Sequence, residues 1–215
     1  MVLLLFGPPG CGKGTQSRSL VEWLKIPAIS TGEMLRAEIG AGSKLGLAAK
    51  STIAAGSLVS DDQVNQILKA RVRQPDCARG FILDGYPRTL EQAQFLDCTL
   101  AGMSAGKAIV LYFDVPTDAL VGRMTSRRLC PKCGRSYNIL SVRPKSPGRC
   151  DEDGEGLIIR KDDQESVFRK RLKAYDEQTR PILAHYSDYR QIRGDRSPAY
   201  IFEEITSLLE PYGRS

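Results

Sequence analysis

Residues 7–15 form a glycine-rich segment with the sequence Gly-Pro-Pro-Gly-Cys-Gly-Lys-Gly-Thr. A short apolar run, residues 3–6, precedes it, and apolar residues at helical spacing follow it. Backbone N–H groups of such a loop can turn inward around an anion, because glycines have no Cβ to block the turn or the approach. Lys13 adds a point charge for the outer phosphate groups. The segment therefore predicts a phosphate-binding loop between a strand and a helix; the alternative is that the glycines serve only a tight turn.

A second pattern with chemical meaning lies in residues 129–160, a stretch rich in proline, glycine and cysteine. The candidate ligands are Cys130, Cys133, Cys150 and Asp153. Two Cys-x-x-(Cys/Asp) pairs at this separation match a tetrahedral zinc knuckle, and four protein ligands leave no open position, so the zinc would be structural. The neighbouring Asp151 and Glu152 are alternatives for the fourth ligand. A redox Cys-x-x-Cys is a weaker reading, since it leaves Cys150 unexplained.

Arginines and one aspartate lie at the expected ends of strands. Arg36 and Arg88 each follow a predicted strand, and a guanidinium group is permanently charged and grips phosphate oxygens in a fork. A solvated surface arginine is the ordinary alternative for either one. Asp84 ends an apolar run beside them, where it could orient water around Mg²⁺ or only cap a turn.

Four further arginines belong to the second half of the chain. Arg123 and Arg127 are four residues apart in a predicted helix over 117–128, so we expect both to project from one face. Arg160 and Arg171 bracket the start of a long predicted helix over 162–186. The only histidine, His185, lies inside that predicted helix and is expected to be structural.

Composition sets broad limits on the protein. The chain has 215 residues with 26% charged and 41% hydrophobic side chains, which is ordinary for a soluble globular protein with one main domain. The net charge of +6 favours a cleft for small polyanions, because the arginines are scattered singly through different motifs. Residues 1–6 are too short for a signal peptide, and no run could span a bilayer. Six cysteines without an export signal therefore indicate a reducing compartment, the cytoplasm.

Strand-like and helix-like segments alternate along the chain, which predicts a parallel sheet covered by helices on both faces. Strands are expected at 3–6, 26–29, 80–84, 108–113 and 189–192. A helical stretch is expected to start at Ser30, and further helices are expected at 15–25, 43–55, 60–74, 89–100, 117–128, 162–186 and 198–209. Capping boxes are expected where Ser30 precedes Glu33 and where Ser60 precedes Gln63. Ligands collect at the carboxyl ends of parallel strands, where the loop and Asp84 lie.

Three of these motifs together resemble the signatures of adenylate kinases. They are the glycine-rich segment, the segment Ser-Thr-Gly-Glu-Met-Leu-Arg at 30–36, and Asp-Gly-Tyr-Pro-Arg-Thr at 84–89. The Lys-Gly-Thr ending of the loop is the form that family uses. Residues 160–163 and the cysteine-bearing insertion look like the long-lid, zinc-containing type. The resemblance runs from Met1 to about Leu209.

The resemblance implies an α/β fold of the P-loop NTPase kind: a parallel five-stranded sheet with helices on both faces, plus two insertions. The core would comprise 1–29, 60–127 and 161–215. A small helical insertion, 30–59, would bind the nucleoside monophosphate, and 128–160 would form a lid with a zinc knuckle.

The implied activity is reversible phosphoryl transfer from MgATP to AMP, giving two ADP, while a closing lid excludes water. The implied cofactors are Mg²⁺ and structural Zn²⁺, in a cytoplasmic monomer that needs neither nucleic acid nor membrane. A related kinase with GTP as donor or another acceptor is the first alternative. A zinc-ribbon nucleic-acid-binding protein is the alternative from another class, suggested by Cys-Pro-Lys-Cys-Gly and the positive charge.

The resemblance also implies three sets of site residues. ATP contacts would come from Gly10, Cys11, Gly12, Lys13, Gly14, Thr15, Arg123, Arg127, Tyr137 and Arg196. AMP contacts would come from Thr31, Arg36, Ser57, Leu58, Val59, Gly85, Arg88, Gln92, Arg160 and Arg171. The catalytic set would be Lys13, Asp84, Arg88, Arg123, Arg127, Arg160 and Arg171.

One residue of the AMP set has two interpretations. Gln92 can pair with the N1 and N6 edge of adenine, because an amide presents a donor and an acceptor side by side. It also follows Thr89 at capping-box spacing and could serve only its own helix. Departures from the family pattern at Tyr86, Arg193 and Ser197-Pro198 leave the adenine-side contacts of ATP at 194–196 open.

Overall fold

The sheet of this protein is built from five short parallel strands. The structure, a computed structural model, describes residues 1–213. Its strands are β1 (Val2–Phe6), β2 (Ala28–Ser30), β3 (Phe81–Asp84), β4 (Ile109–Asp114), β5 (Arg127–Leu129), β6 (Ser136–Asn138) and β7 (Tyr189–Arg193). The central sheet has the order β2-β3-β1-β4-β7, and every neighbouring pair in it is parallel. The predicted fold class is confirmed.

Helices cover both faces of this sheet. They are α1 (Lys13–Leu24), α2 (Thr31–Gly40), α3 (Lys44–Ala54), α4 (Asp61–Val72), α5 (Leu90–Gly102), α6 (Thr117–Thr125), α7 (Glu165–Ala174) and α8 (Pro198–Leu209). All five residues of β1 are buried, as expected for a central parallel strand. Leu3 and Leu5 pack with residues of α1, α6, α7 and α8, whereas Leu4 and Phe6 pack with residues of α2 to α5.

The register of the sheet aligns the carboxyl ends of β1, β2 and β3. Asp84 pairs with Leu5 of β1 on one side and with Ser30 of β2 on the other. The glycine-rich loop, the start of α2 and the turn after β3 therefore meet at one edge. Ser30 caps α2, since its hydroxyl accepts from the N–H of Glu33 at 3.4 Å.

The predicted helix over 117–128 is too long. Helix α6 ends at Thr125, and Arg127 begins strand β5, which pairs antiparallel with β6. A further bridge joins Leu129 to Ile158. Strand pairing with partners distant in sequence therefore overrides the helical spacing, and the expectation that Arg123 and Arg127 share one helix face was wrong.

The predicted helix over 162–186 is also broken. Residues Lys161–Asp163 form a 3₁₀ turn before α7, and α7 is followed by a π-helical segment, Tyr175–Thr179, and a 3₁₀ segment, Arg180–Ala184. Pro181 has no backbone N–H to donate to the carbonyl four residues earlier, so a regular α-helix cannot continue through it. His185 follows this segment, and its Nε2 lies 2.7 Å from Asp97 Oδ2.

Two smaller points complete the comparison with expectation. The hydroxyl of Ser60 bonds to Gln63 Oε1 at 2.8 Å, so the predicted backbone cap at this position does not form, although α4 begins at the next residue. Within residues 1–213, no helix has the length and apolar character that crossing a membrane requires.

Candidate functional site

The glycine-rich loop connects β1 to α1 and ends in an exposed helix start. Gly12 lies just before α1 with φ of +105°, a conformation that favours glycine. The Lys13 ammonium group donates to the carbonyl oxygens of Gly7 at 2.7 Å and Pro8 at 2.9 Å. The Lys13 ammonium group thus lies above its own loop. Phosphate oxygens can replace the backbone oxygens as its hydrogen-bond acceptors. The loop before Gly12 contains Gly10 and Cys11, and the first turn of α1 contains Gly14 and Thr15.

Asp84 lies beside this loop. A Cβ added to Gly14 would lie 3.6 Å from Asp84 Oδ2, so the carboxylate faces the first turn of α1. A carboxylate next to a phosphate-binding turn suits the water shell of Mg²⁺, which dehydrates reluctantly and prefers oxygen ligands. The residues present therefore fit a nucleotide-bound magnesium ion.

A cleft of about 570 Å³ of empty space, part of it open to solvent, lies among helices α2, α3, α4, α5 and α7. Its lining is Thr31, Gly32, Leu35, Arg36, Ile53, Gly56, Ser57, Leu58, Val59, Val64, Arg88, Gln92, Asp162 and Arg171. Eight of the ten residues predicted to contact AMP are in this lining. Gly85 is attached to it, because its carbonyl accepts from Thr31 Oγ1 at 2.9 Å and from Arg88 Nε at 2.7 Å.

Guanidinium groups converge at the inner end of this cleft. Burial, together with the neighbouring Arg171 and Arg36, lowers the pKa of Arg88 to about 10, although Asp84 opposes the shift. Burial, with Arg36 and Arg127 adding to its effect, likewise lowers the pKa of Arg160 to about 10. Arg88 and Arg160 both remain cations at neutral pH. The buried Nε of Arg160 has no hydrogen-bond partner within the described chain, so the cluster is ready to accept anionic oxygens.

Two aspartates partly balance this positive charge. Asp163, which is only 2% exposed, forms a bidentate pair with Arg127. Asp162 Oδ2 accepts from Arg171 at 2.8 Å. These carboxylates thus hold two arginines of the cluster, Arg171 and Arg127. Asp162 lines the cleft and was not predicted there; its position in the 3₁₀ turn depends on the break before α7.

The residues predicted to contact ATP all lie outside the lining of that cleft, and three of them belong neither to the glycine-rich loop nor to the arginine cluster. Arg123 donates to the carbonyl of Gly194 at 2.8 Å, which ties α6 to the loop after β7. The guanidinium of Arg196 lies 4.5 Å from the centre of the Tyr200 ring. Tyr137 is only 2% exposed and belongs to the core of the cysteine-bearing segment, with its ring packed near Cys130 and Cys150. Their predicted contacts with ATP stay predictions.

Gln92 is 2% exposed at the start of α5, and both ends of its amide are bonded within the protein. Its Oε1 accepts from the N–H of Arg88 at 2.8 Å, and its Nε2 donates to Asp61 Oδ1 at 2.7 Å. Its own N–H donates to Thr89 Oγ1 at 3.2 Å, as a helix cap requires. Sequence reasoning missed Asp61, because nothing in the chain indicates a contact between residues 31 positions apart.

The cysteine-bearing segment brings its four candidate ligands together. The ligand atoms of Cys130, Cys133, Cys150 and Asp153 all lie within 4.8 Å of one another. Cys133 Sγ is 3.5 Å from Cys150 Sγ, and Cys130 Sγ is 3.4 Å from both oxygens of Asp153. Zinc–sulfur bonds of about 2.3 Å in a tetrahedron require sulfur atoms about 3.8 Å apart, so three thiols and a carboxylate fit such a metal.

The two other acidic residues of this segment are engaged elsewhere. Asp151 Oδ1 accepts from the N–H of Lys145 at 2.8 Å, and Glu152 pairs with Arg135. Asp153 is therefore the carboxylate that lies with the three cysteines, and its role as the fourth ligand stays a prediction.

Comparison with known proteins gives consistent matches along the chain. A family model described as "Adenylate kinase" matches residues 5–191. Curated relatives named "Adenylate kinase" come from Thermosipho melanesiensis, 46% identical over 97% of this chain and 99% of that protein, and from Oceanobacillus iheyensis, 44% identical over 98% and 99%. Another, from Pseudothermotoga lettingae, is 42% identical over 98% of both chains.

Proposed function

Because the chain belongs to the adenylate kinase family, we propose that it transfers the γ-phosphoryl group of MgATP reversibly to AMP, giving two ADP. The observation that carries this proposal is the cleft that joins Thr31, Arg36, Arg88 and Arg171 to an apolar wall from the insertion. Such a cleft suits a nucleoside monophosphate, with guanidinium groups for the phosphate and apolar contacts for the base.

The acceptor phosphate binds between Arg36 and Arg88. Arg88 is positioned by its bond to the Gly85 carbonyl and by Thr179, whose hydroxyl donates to the Arg88 carbonyl at 2.9 Å. Guanidinium groups fixed by backbone contacts lose little freedom when they bind phosphate, so they align the attacking oxygen at low entropic cost. The base would lie against Leu58 and Val59.

The donor phosphates bind at the loop between β1 and α1. Its N–H groups and Lys13 neutralise charge on the β- and γ-phosphates. Asp84 would hold the water shell of a nucleotide-bound Mg²⁺, which would supply further charge neutralisation when it is bound. Arg127, Arg160 and Arg171 stabilise the charge that develops on the phosphoryl group in flight. Arg123 supports the same side through Gly194.

No general base takes part in this mechanism. The phosphate of AMP is largely dianionic at neutral pH, since the second pKa of such monoesters is about 6. The work of the protein is alignment, charge neutralisation and exclusion of water. Water would otherwise compete with AMP for the phosphoryl group, which is the reason for a lid over 128–160 that closes on a core of 1–29, 60–127 and 161–215.

The cluster of three cysteines and Asp153 would hold a structural zinc ion in that lid. Its four protein ligands leave no position for substrate or water, so the metal supplies folding energy to a segment too small for a large core. In the part of the chain that the structure describes, that core is limited to Cys130, Tyr137 and Cys150 with Leu157 packed against them.

A coupled assay tests the reaction. Purified protein is supplied with MgATP or MgGTP and with each of AMP, GMP, IMP, CMP and UMP in turn, and diphosphate formation is measured. We expect AMP to be the preferred acceptor and ADP the product from both substrates. Turnover of another monophosphate with AMP inactive, or failure with every pair, contradicts the proposal. The same assay decides the donor base, since GTP remains the alternative.

The metal is tested separately by elemental analysis and by limited proteolysis with and without a chelator. We expect about one zinc ion per chain, and cleavage within 128–160 only after the metal is removed. An intact metal-free protein with unchanged protection would contradict a structural zinc.

A further inference from the structure

Two hydrogen bonds, to the backbone N–H of Arg88 and to the carboxylate of Asp61, fix which end of the Gln92 amide is the oxygen and which is the nitrogen. A backbone N–H can only donate, so the amide atom 2.8 Å from Arg88 N must be the oxygen. A carboxylate can only accept, so the atom 2.7 Å from Asp61 Oδ1 must be the nitrogen. The two contacts agree with each other.

Asp61 is itself fixed in place. It is the first residue of α4, and its other oxygen, Oδ2, accepts from Thr89 Oγ1 at 2.6 Å. Thr89 is the cap of α5, the helix on which Gln92 lies. The Asp61 carboxylate therefore links the start of α4 to the start of α5, and it also holds the amide of Gln92. Gln92 lines the cleft next to these contacts.

We propose that Asp61 determines acceptor specificity by fixing the orientation of the Gln92 amide. This inference rests on the proposed function. Each amide atom has a second valence: Nε2 has another hydrogen and Oε1 another lone pair. These remain for the base, and they match adenine, whose N6 amino group donates and whose N1 accepts. Hypoxanthine reverses both groups, since its N1–H donates and its O6 accepts, so it pairs only with the opposite arrangement.

Removing the carboxylate should therefore weaken discrimination between bases rather than activity in general. In Asp61→Ala the amide nitrogen loses its acceptor, and only the Arg88 N–H still favours one arrangement. We expect the ratio of kcat/KM for AMP to kcat/KM for IMP to fall at least about fivefold and the KM for AMP to rise about tenfold, in line with loss of one buried hydrogen bond to a charged group. The KM for ATP should not change.

Two variants separate this role from a structural one. Asp61→Asn keeps an acceptor oxygen at the same distance and should retain the AMP-to-IMP ratio within about twofold of the parent. Asp62→Ala removes the other carboxylate of the first turn of α4, which is exposed, and should leave the ratio unchanged. It controls for the helix dipole and for net charge. If Asp61→Ala does not fold, Asp61→Ser takes its place, because serine is tolerated at a helix start but is too short to reach Gln92.

The parent protein is assayed first, so that failure of the proposed function appears as a parent without AMP turnover. Failure of the Asp61 assignment appears only in the variants. An unchanged AMP-to-IMP ratio in Asp61→Ala, with both acceptors slowed equally, would overturn it. So would an equal fall of the ratio in Asp62→Ala, or a Gln92→Ala variant that keeps the parent ratio.

Discussion

The arginine cleft and the cysteine cluster both gather ionisable side chains, but they differ in how those side chains are paired within the chain. In and beside the cleft, the guanidinium groups of Arg36, Arg88, Arg127, Arg160 and Arg171 outnumber the carboxylates of Asp84, Asp162 and Asp163. Within the chain, these cations pair with carboxylates and backbone carbonyls, which phosphate oxygens can replace. In the cluster, the ligand atoms contact mainly one another.

This difference matches two kinds of occupancy. A site that binds and releases nucleotide in every cycle needs partners for its charges in both states, because an unpaired buried charge is costly. A site that holds a metal permanently needs no such partners within the chain, since the ion remains bound. The predictions below test whether the two centres are independent in this way.

The largest effect is expected for Lys13→Met. The change removes the only lysine of the loop, and loss of one positioned charge at a transferring phosphoryl group costs about 10²–10³ in kcat. Steady-state kinetics with MgATP and AMP measure it. Lys69→Met, at an exposed position of α4, is the matched control and should be neutral. A Lys13→Met protein within tenfold of the parent would contradict the donor site.

Arg160→Ala should separate activity from stability. We expect kcat/KM to fall about 10²-fold, while the melting temperature stays level or rises by about 2–4 °C, because a buried cation with an unpartnered Nε and cationic neighbours is removed. Calorimetry and kinetics on one preparation test both. Exposed Arg169→Ala is the control. A clear fall in the melting temperature would contradict this, because it would mean that the charge of Arg160 is fully compensated within the protein.

Cys133→Ser should affect the cluster without affecting the cleft. Bound zinc should fall from about one ion per chain to about none, and cleavage within 128–160 should become at least about tenfold faster, because the metal supplies the folding energy of this segment. Metal analysis measures the bound zinc, limited proteolysis measures the rate of cleavage within 128–160, and titration with AMP measures binding in the cleft. Cys98→Ser, an exposed cysteine outside the cluster, should keep the metal. Weaker AMP binding in Cys133→Ser would show that the centres are coupled.

The smallest effect is expected for Thr179→Val. The variant removes the hydroxyl that bonds to the Arg88 carbonyl, at a position that is 7% exposed. One lost hydrogen bond is worth about 1 kcal/mol, so the KM for AMP should rise about two- to fivefold and the melting temperature should fall by about 2–4 °C. Thr179→Ser, which keeps the hydroxyl, should restore the KM. If it does not, Thr179 acts through packing and does not position Arg88.

Local patterns predicted those elements in which sequence and tertiary contacts agree. The unit β1–loop–α1 follows from an apolar run, glycines and helical spacing, and α8 has the predicted ends at Pro198 and Leu209. The cysteine cluster follows from spacing, because its residues form two closely spaced pairs, Cys130 with Cys133 and Cys150 with Asp153.

Long-range contacts account for what the sequence could not predict. Arg127 leaves the helix because β5 pairs with β6 and with Ile158, and neither partner is visible from helical spacing. The helix predicted over 162–186 did not take account of Pro181, which is visible in the sequence and cannot donate a backbone hydrogen bond. The AMP set came from family resemblance rather than from spacing, since its members come from separate segments of the chain.

Strand β5 has a mechanical consequence. Arg127, whose guanidinium group grips Asp163, and Cys130 lie only three residues apart, with Arg127 opening the strand and Cys130 directly following it. Because β5 pairs antiparallel with β6 and is bridged to Ile158, its two ends move together, so a displacement of Cys130 also displaces the guanidinium group of Arg127. The fold of the cysteine-bearing segment therefore governs where this guanidinium group stands, although no residue of the cysteine cluster lines the cleft.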